Sequence, residues 1–150
     1  MDSLRRLLCI ALFGTAVALA ALTPVRAGGG FRGPVEAIVL DVLDGDTFVA
    51  DALVWPGQSV RVNVRIRGID APEMKSRCAA EHRAALRARD ELSRLIGEGS
   101  VSISNIGGAK YYGRVLADVE TQDGVPVAEE MLGQSLVRAY TGGRRKSWCG

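Results

Sequence analysis

Val60-Arg61-Val62-Asn63-Val64-Arg65-Ile66-Arg67-Gly68-Ile69-Asp70-Ala71-Pro72-Glu73 begins as a strand and then abruptly stops being one. Aliphatic residues alternate with arginine and asparagine from Val60 to Arg67. That period of two describes a strand with one buried and one polar face. Pro72 ends the pattern, because it lacks an N–H and pushes the residue before it into an extended conformation. Working backward, Pro56-Gly57 is a turn, and Thr47 to Leu53 is a second run of strand character. Asp44-Gly45 is a hairpin turn signal, and Val35 to Leu43 is an aliphatic, β-branched run with Asp41 as an early polar interruption.

Working forward, residues Ser76 to Ile96 have helical spacing. Cys78, Ala85, Leu92, Leu95 and Ile96 share one face, and Gly97 is a stop signal. The opposite face carries Arg77/Glu81, Arg87/Glu91 and Asp90/Arg94 at i,i+4, which reads as a solvated surface. Val101 to Ile106 and Val115 to Glu120 predict two more strands. Asp123-Gly124 predicts a turn, and Pro126 can open a helix running to about Leu132. The expectation is a mainly β, α+β domain: a five-stranded OB-type Greek-key barrel, with one helix between strands 3 and 4 and another after strand 5. Such a barrel licenses no function by itself.

Arg5 and Arg6 precede an apolar run from Leu7 to Leu22, followed by Val25-Arg26-Ala27. This reads as a secretory signal peptide over residues 1–27, the run being short for a membrane anchor. A glycine-rich linker over 28–34 and a domain over 35–150 follow. Without the leader, the 19 basic and 17 acidic residues fall by three and by one, to 16 of each. Overall basicity therefore gives no argument for nucleic acid, and any such argument must rest on local constellations. Cys9 lies in the leader. Cys78 and Cys149 remain, and an even count in an exported domain predicts one disulfide between them. The alternatives are two free thiols or a zinc site with His82, which offers too few soft ligands.

Three segments carry the chemistry: Asp44-Gly45-Asp46-Thr47, Arg65 through Glu73, and Tyr112-Gly113-Arg114. Four acids on two turns repel one another unless a hard divalent cation supplies the opposite charge. Pro72 keeps the Ala71 carbonyl out of a helical bond and free to be a ligand. Arg65 and Arg114 suit a phosphodiester, because each guanidinium donates two parallel hydrogen bonds. Taken singly, each feature is an ordinary turn or a surface arginine; the combination is specific.

The order D-G-D-T, then R-x-x-x-x-D-x-P-E, then Y-G-R resembles the staphylococcal nuclease (thermonuclease) family from about Ile38 to Ala139. The resemblance implies a calcium-dependent nuclease that cuts DNA or RNA and leaves a 3′-phosphate. It implies that Asp46, Asp70 and the Ala71 carbonyl bind calcium, with Asp44 in the outer shell. Glu73 falls on the general base, Arg65 and Arg114 on the phosphate-binding arginines, and Tyr112 on the nucleotide pocket. The stretch between Asp46 and Arg65 is longer than in the family pattern, the loop after Glu73 is shorter, and Lys110 replaces an acid.

Two other classes compete. A non-cutting OB module that binds nucleic acid or a protein needs exposed aromatics and a basic groove, and this neutral chain is poor in both. A structural calcium-binding domain explains the acids and leaves Arg65 and Arg114 without a role. The expected partner is thus a nucleic acid substrate, with a monomer and no stable membrane association once the leader is removed. Arg144-Arg145-Lys146 reads first as a solvated basic stretch, the alternative being that it tracks a substrate backbone.

Overall fold

The structure, a computed structural model, describes residues 29–109 and 113–149. The expected leader and Tyr112 lie outside the described residues. The first regular elements are β1 (Gly30–Phe31), β2 (Val35–Asp44), β3 (Thr47–Trp55) and β4 (Gln58–Ile66). The short strand β5 (Ile69–Asp70) and helix α1 (Ala79–Ile96) follow. Then come β6 (Ser100–Gly108), β7 (Arg114–Thr121), helix α2 (Val127–Gly133) and β8 (Arg138–Ala139). The sheet runs in the order β6-β2-β3-β4-β7, and β7 pairs back onto β6, which closes a five-stranded barrel. The β4–β7 pair is parallel; the other barrel pairs are antiparallel. The expected OB-type barrel with two helices is therefore the architecture found.

The alternation read from sequence predicts the inward face. Phe48 and Ala50 of β3, Val64 and Ile66 of β4, and Val101 and Ile103 of β6 are buried. Leu92 and Ile96 of α1 and Met131 of α2 complete the core. Each fully buried large side chain contributes on the order of 1.5–3 kcal/mol of transfer free energy. Burial fades along the β3–β4 hairpin toward its Pro56-Gly57 tip: Val60 is exposed, and Trp55 is 70% exposed. The extra length between Asp46 and Arg65 thus projects from the barrel and adds nothing to its core.

Two boundaries differ from the sequence reading. Helix α1 starts at Ala79, and Cys78 is its N-cap, extended in backbone, with Sγ accepting the Glu81 N–H at 3.5 Å. Ser76, Arg77 and Cys78, expected in the helix, stay outside it because the chain must first turn from β5 onto the barrel end. Glu81, expected on the solvated face, is buried. The Glu73 N–H donates to Glu81 Oε1 at 3.2 Å, which supplies a partner for the buried carboxylate. Within the expected linker, Gly30 and Phe31 pair with Gly107 and Ile106 of β6. Among the described residues, no helix is long and apolar enough to cross a membrane.

Candidate active site

The Asp44-Gly45-Asp46 turn joins β2 to β3 and lies flat against α1. A Cβ at Gly45 would sit 2.5 Å from Ala88 Cβ and 2.9 Å from Ala71 Cβ. Only glycine permits this approach, and the approach is what sinks Asp46 into the protein, where it is 2% exposed. Asp46 Oδ2 accepts the Ala71 N–H at 2.8 Å. Its Oδ1 accepts the Thr47 hydroxyl at 2.8 Å and a short bond from Arg65 Nη1. Asp44 Oδ1 in turn accepts the Asp46 N–H at 2.9 Å. Burial first, and the charge of Asp46 second, push the Asp44 carboxyl up from 3.8 to about 6.

Asp70 sits in β5, paired with Arg138 of β8, and is 4% exposed. Guanidinium nitrogens of Arg65 (3.6 Å) and Arg145 face its Oδ1. Neither contact has hydrogen-bond geometry, so this buried oxygen is compensated in charge while it lacks a directional partner. The Ala71 carbonyl accepts from Arg145 Nη2 at 2.7 Å, and Glu73 Oε1 accepts a short bond from Arg145 Nη1. Arg65 also donates to the Ile69 carbonyl at 3.1 Å. Arg114 opens β7 opposite Asn63 of β4, half-buried. Arg67 is spent elsewhere: it donates to Asp118 Oδ1 at 3.1 Å and to the Asn105 and Leu116 carbonyls.

Asp44, Asp46, Arg65, Ala71, Glu73 and Arg114 line one cleft of about 840 Å³. Its wall also includes Arg67, Tyr140 and Arg145. Asp70 borders the adjoining recess with Arg138 to Gly142, and reaches the cleft through its contacts with Arg65 and Arg145. Residues from β2, β3, β4, β7 and the Pro72 turn are thus brought together from 70 positions of sequence, Asp44 to Arg114.

The donor set fits a hard divalent cation. It is all oxygen: two buried carboxylates, a main-chain carbonyl held extended before Pro72, and Asp44 behind them. The buried Asp70 Oδ1 has cationic neighbours and no hydrogen bond, so it keeps lone-pair capacity for a ligand bond, and burial beside Asp46 raises the Asp44 carboxyl. Among the described residues, the one set of three His, Cys, Asp or Glu side chains whose ligand atoms lie within 4.8 Å of one another is Cys78, Glu81 and Cys149; the cleft acids stand farther apart than that. The two sulfurs of that set are bonded to each other as the Cys78–Cys149 disulfide, with Cα atoms 6.1 Å apart. Sulfurs bonded to each other offer no thiolate, so among the described residues the two cysteines and His82 do not make a zinc site.

Arg145 is the residue that sequence reasoning missed. With Arg144 and Lys146 it reads as solvated or as tracking a substrate backbone, and neither reading places it on the cleft's acids, where it lies. A signal existed: Cys149 bonded to Cys78 must bring its neighbours beside the helix that follows Glu73. Gly142 and Gly143, at φ 107° and 91°, make the reversal that this requires.

No curated protein matches the chain significantly. A family model described as "Staphylococcal nuclease homologue" matches residues 63–147, a stretch that includes Arg65, Asp70, Glu73 and Arg114. The match covers more than half of the chain, and the chain folds as a closed five-stranded barrel, so this protein belongs to the staphylococcal nuclease homologue family and has a nuclease-type function.

Proposed function

We propose that this protein is an exported, calcium-dependent endonuclease that hydrolyses phosphodiester bonds of DNA or RNA. The observation that carries the reading is the cleft in which Asp44, the buried Asp46, the exposed Glu73 carboxylate and the arginines Arg65 and Arg114 meet, with Asp70 at its border. Asp46, Asp70 and the Ala71 carbonyl would hold calcium, with Asp44 in the outer shell. When bound, calcium supplies Lewis acidity at a phosphate oxygen and orients the substrate. Glu73 is exposed at the cleft and therefore open to water. It takes the proton of an attacking water, or holds that water in line with the phosphorus. Arg65 and Arg114, on neighbouring strands β4 and β7, donate to the non-bridging oxygens as negative charge grows there. Tyr112, two residues before Arg114, is the expected wall of the nucleotide pocket. Residues 1–27 would direct the chain to the periplasm or outside the cell, where a monomeric domain free of the membrane acts and where the disulfide persists.

The test is incubation of the purified protein with plasmid DNA and with RNA, in calcium or in excess chelator. Cleavage in calcium alone is expected. Full activity in chelator would remove the calcium assignment, and binding without cleavage under every condition would favour the non-cutting module. Glu73→Gln keeps shape and removes the base, so turnover should fall steeply with substrate binding little changed.

A further inference from the structure

Segment 140–149 is pinned at both ends. At its start, the Tyr140 N–H donates to the Gly68 carbonyl at 2.8 Å, extending the β5–β8 pairing. At its far end, Cys149 is bonded to Cys78, the N-cap of α1. Between them, Arg138 stacks on Trp148 at 3.8 Å and donates to the Ser147 carbonyl at 3.0 Å. The Tyr140 hydroxyl donates to the Gly143 carbonyl at 2.8 Å. Arg145 lies in the middle of this closed loop.

Its guanidinium meets three oxygens: Ala71 O, Glu73 Oε1 and Asp70 Oδ1. Two of these belong to the residues assigned to the cation above, and the third to the assigned base. A guanidinium is itself a cation with a fork of N–H donors, and it neutralises the same oxygens that a divalent ion would take. We propose that Arg145 is an active-site residue that occupies the cation's seat, and that the Cys78–Cys149 bond keeps it there. The inference rests on the cation reading of the preceding section. For calcium to reach Asp70 and the Ala71 carbonyl, the guanidinium must leave both. Because the loop is pinned, the competition is intramolecular and does not dilute away. Apparent cation affinity is then lowered by the fraction of molecules whose seat is filled. Opening the disulfide frees the loop, lowers that fraction and raises affinity, so the redox state of the pair tunes cation loading.

The experiment is calorimetric titration of calcium chloride into the nucleic-acid-free protein. Arg145→Gln should bind calcium about tenfold more tightly than the wild type, the gain expected if the seat is filled about nine-tenths of the time. Arg144→Gln and Lys146→Gln remove the same charge from exposed neighbours that make none of these contacts, and they control for a general field effect. Reductant or Cys149→Ser should tighten calcium binding when Arg145 is present and do nothing further in Arg145→Gln. Equal affinities for Arg145→Gln and the two neighbour variants would overturn the proposal, and that comparison holds even if Cys149→Ser does not fold. Calcium heat in no variant would instead remove the cation reading, and the proposal with it.

Discussion

Cutting the Cys78–Cys149 bond is the perturbation whose magnitude the structure defines best. The bond joins residues 71 apart in sequence. Closing a loop of that length removes chain entropy from the unfolded state worth about 4 kcal/mol, in the loop-entropy account of crosslinks. For a domain of roughly this size, each kcal/mol moves the melting temperature by about 4 °C, so Cys149→Ser should melt about 15 °C lower. Wild-type protein in reductant should melt close to Cys149→Ser. Cys78→Ser should lose less, because Cys78 is the N-cap of α1 and accepts the Glu81 N–H through Sγ. Serine is a strong N-cap residue and should recover about 0.5–1 kcal/mol of the loss. The assay is thermal unfolding followed by far-ultraviolet circular dichroism, with thiol titration to confirm that the bond is open. An unchanged melting temperature in fully reduced wild type would refute the crosslink argument.

Gly45→Ala places a Cβ 2.5 Å from Ala88 Cβ, a clash that should cost about 1–3 kcal/mol and reduce activity by lifting the Asp46 turn. Adding Ala88→Gly removes the closer clash and leaves Ala71 Cβ at 2.9 Å, so it should restore activity in part, at about 1 kcal/mol of helix stability; no recovery at all would separate the turn's seating from the site. Arg65→Lys and Arg114→Lys should each lose about 10²–10³ in turnover, as for removal of one preorganised donor to a developing anion. Arg67, tied to Asp118 and two carbonyls, should affect stability more than rate, and an equal rate loss in Arg67→Lys would contradict this division. Asp44 binds its proton more tightly in the folded protein than in the unfolded chain, at about 6 against 3.8. Its ionisation therefore costs stability as pH rises between those values, and in calcium-free buffer Asp44→Asn should flatten that part of the stability profile. An identical profile in the variant would show that Asp44 does not carry the dependence.

The barrel was legible because its determinants are local. Alternation from Val60 to Ile66, the Asp44-Gly45 and Pro56-Gly57 turns and the helical spacing up to Ile96 each specify their own segment, and the closed sheet follows from joining them. The turn and strand residues of the site were legible for the same reason: carboxylates beside Gly45 and Pro72 announce themselves within a few positions. Arg145 and Glu81 were not. The charge pattern around each looks solvated, and the one nearby signal, Cys78 three residues before Glu81 and Cys149 four after Arg145, acts only through a bond across 71 positions. Glu81 is buried because the chain after Pro72 and the Cys149 end both close over the start of α1, where its carboxylate takes the Glu73 N–H and lies 3.4 Å from Cys149 Sγ. Arg145 reaches Asp70 because a covalent bond 71 residues long in sequence folds its loop back across the cleft. Sequence alone thus determined which segments are strands and helices and which turns hold the acids, since those choices are made by backbone preferences and periodicity. Only the tertiary structure decided which cation sits on those acids, because that depends on which distant guanidinium the closed chain brings within reach.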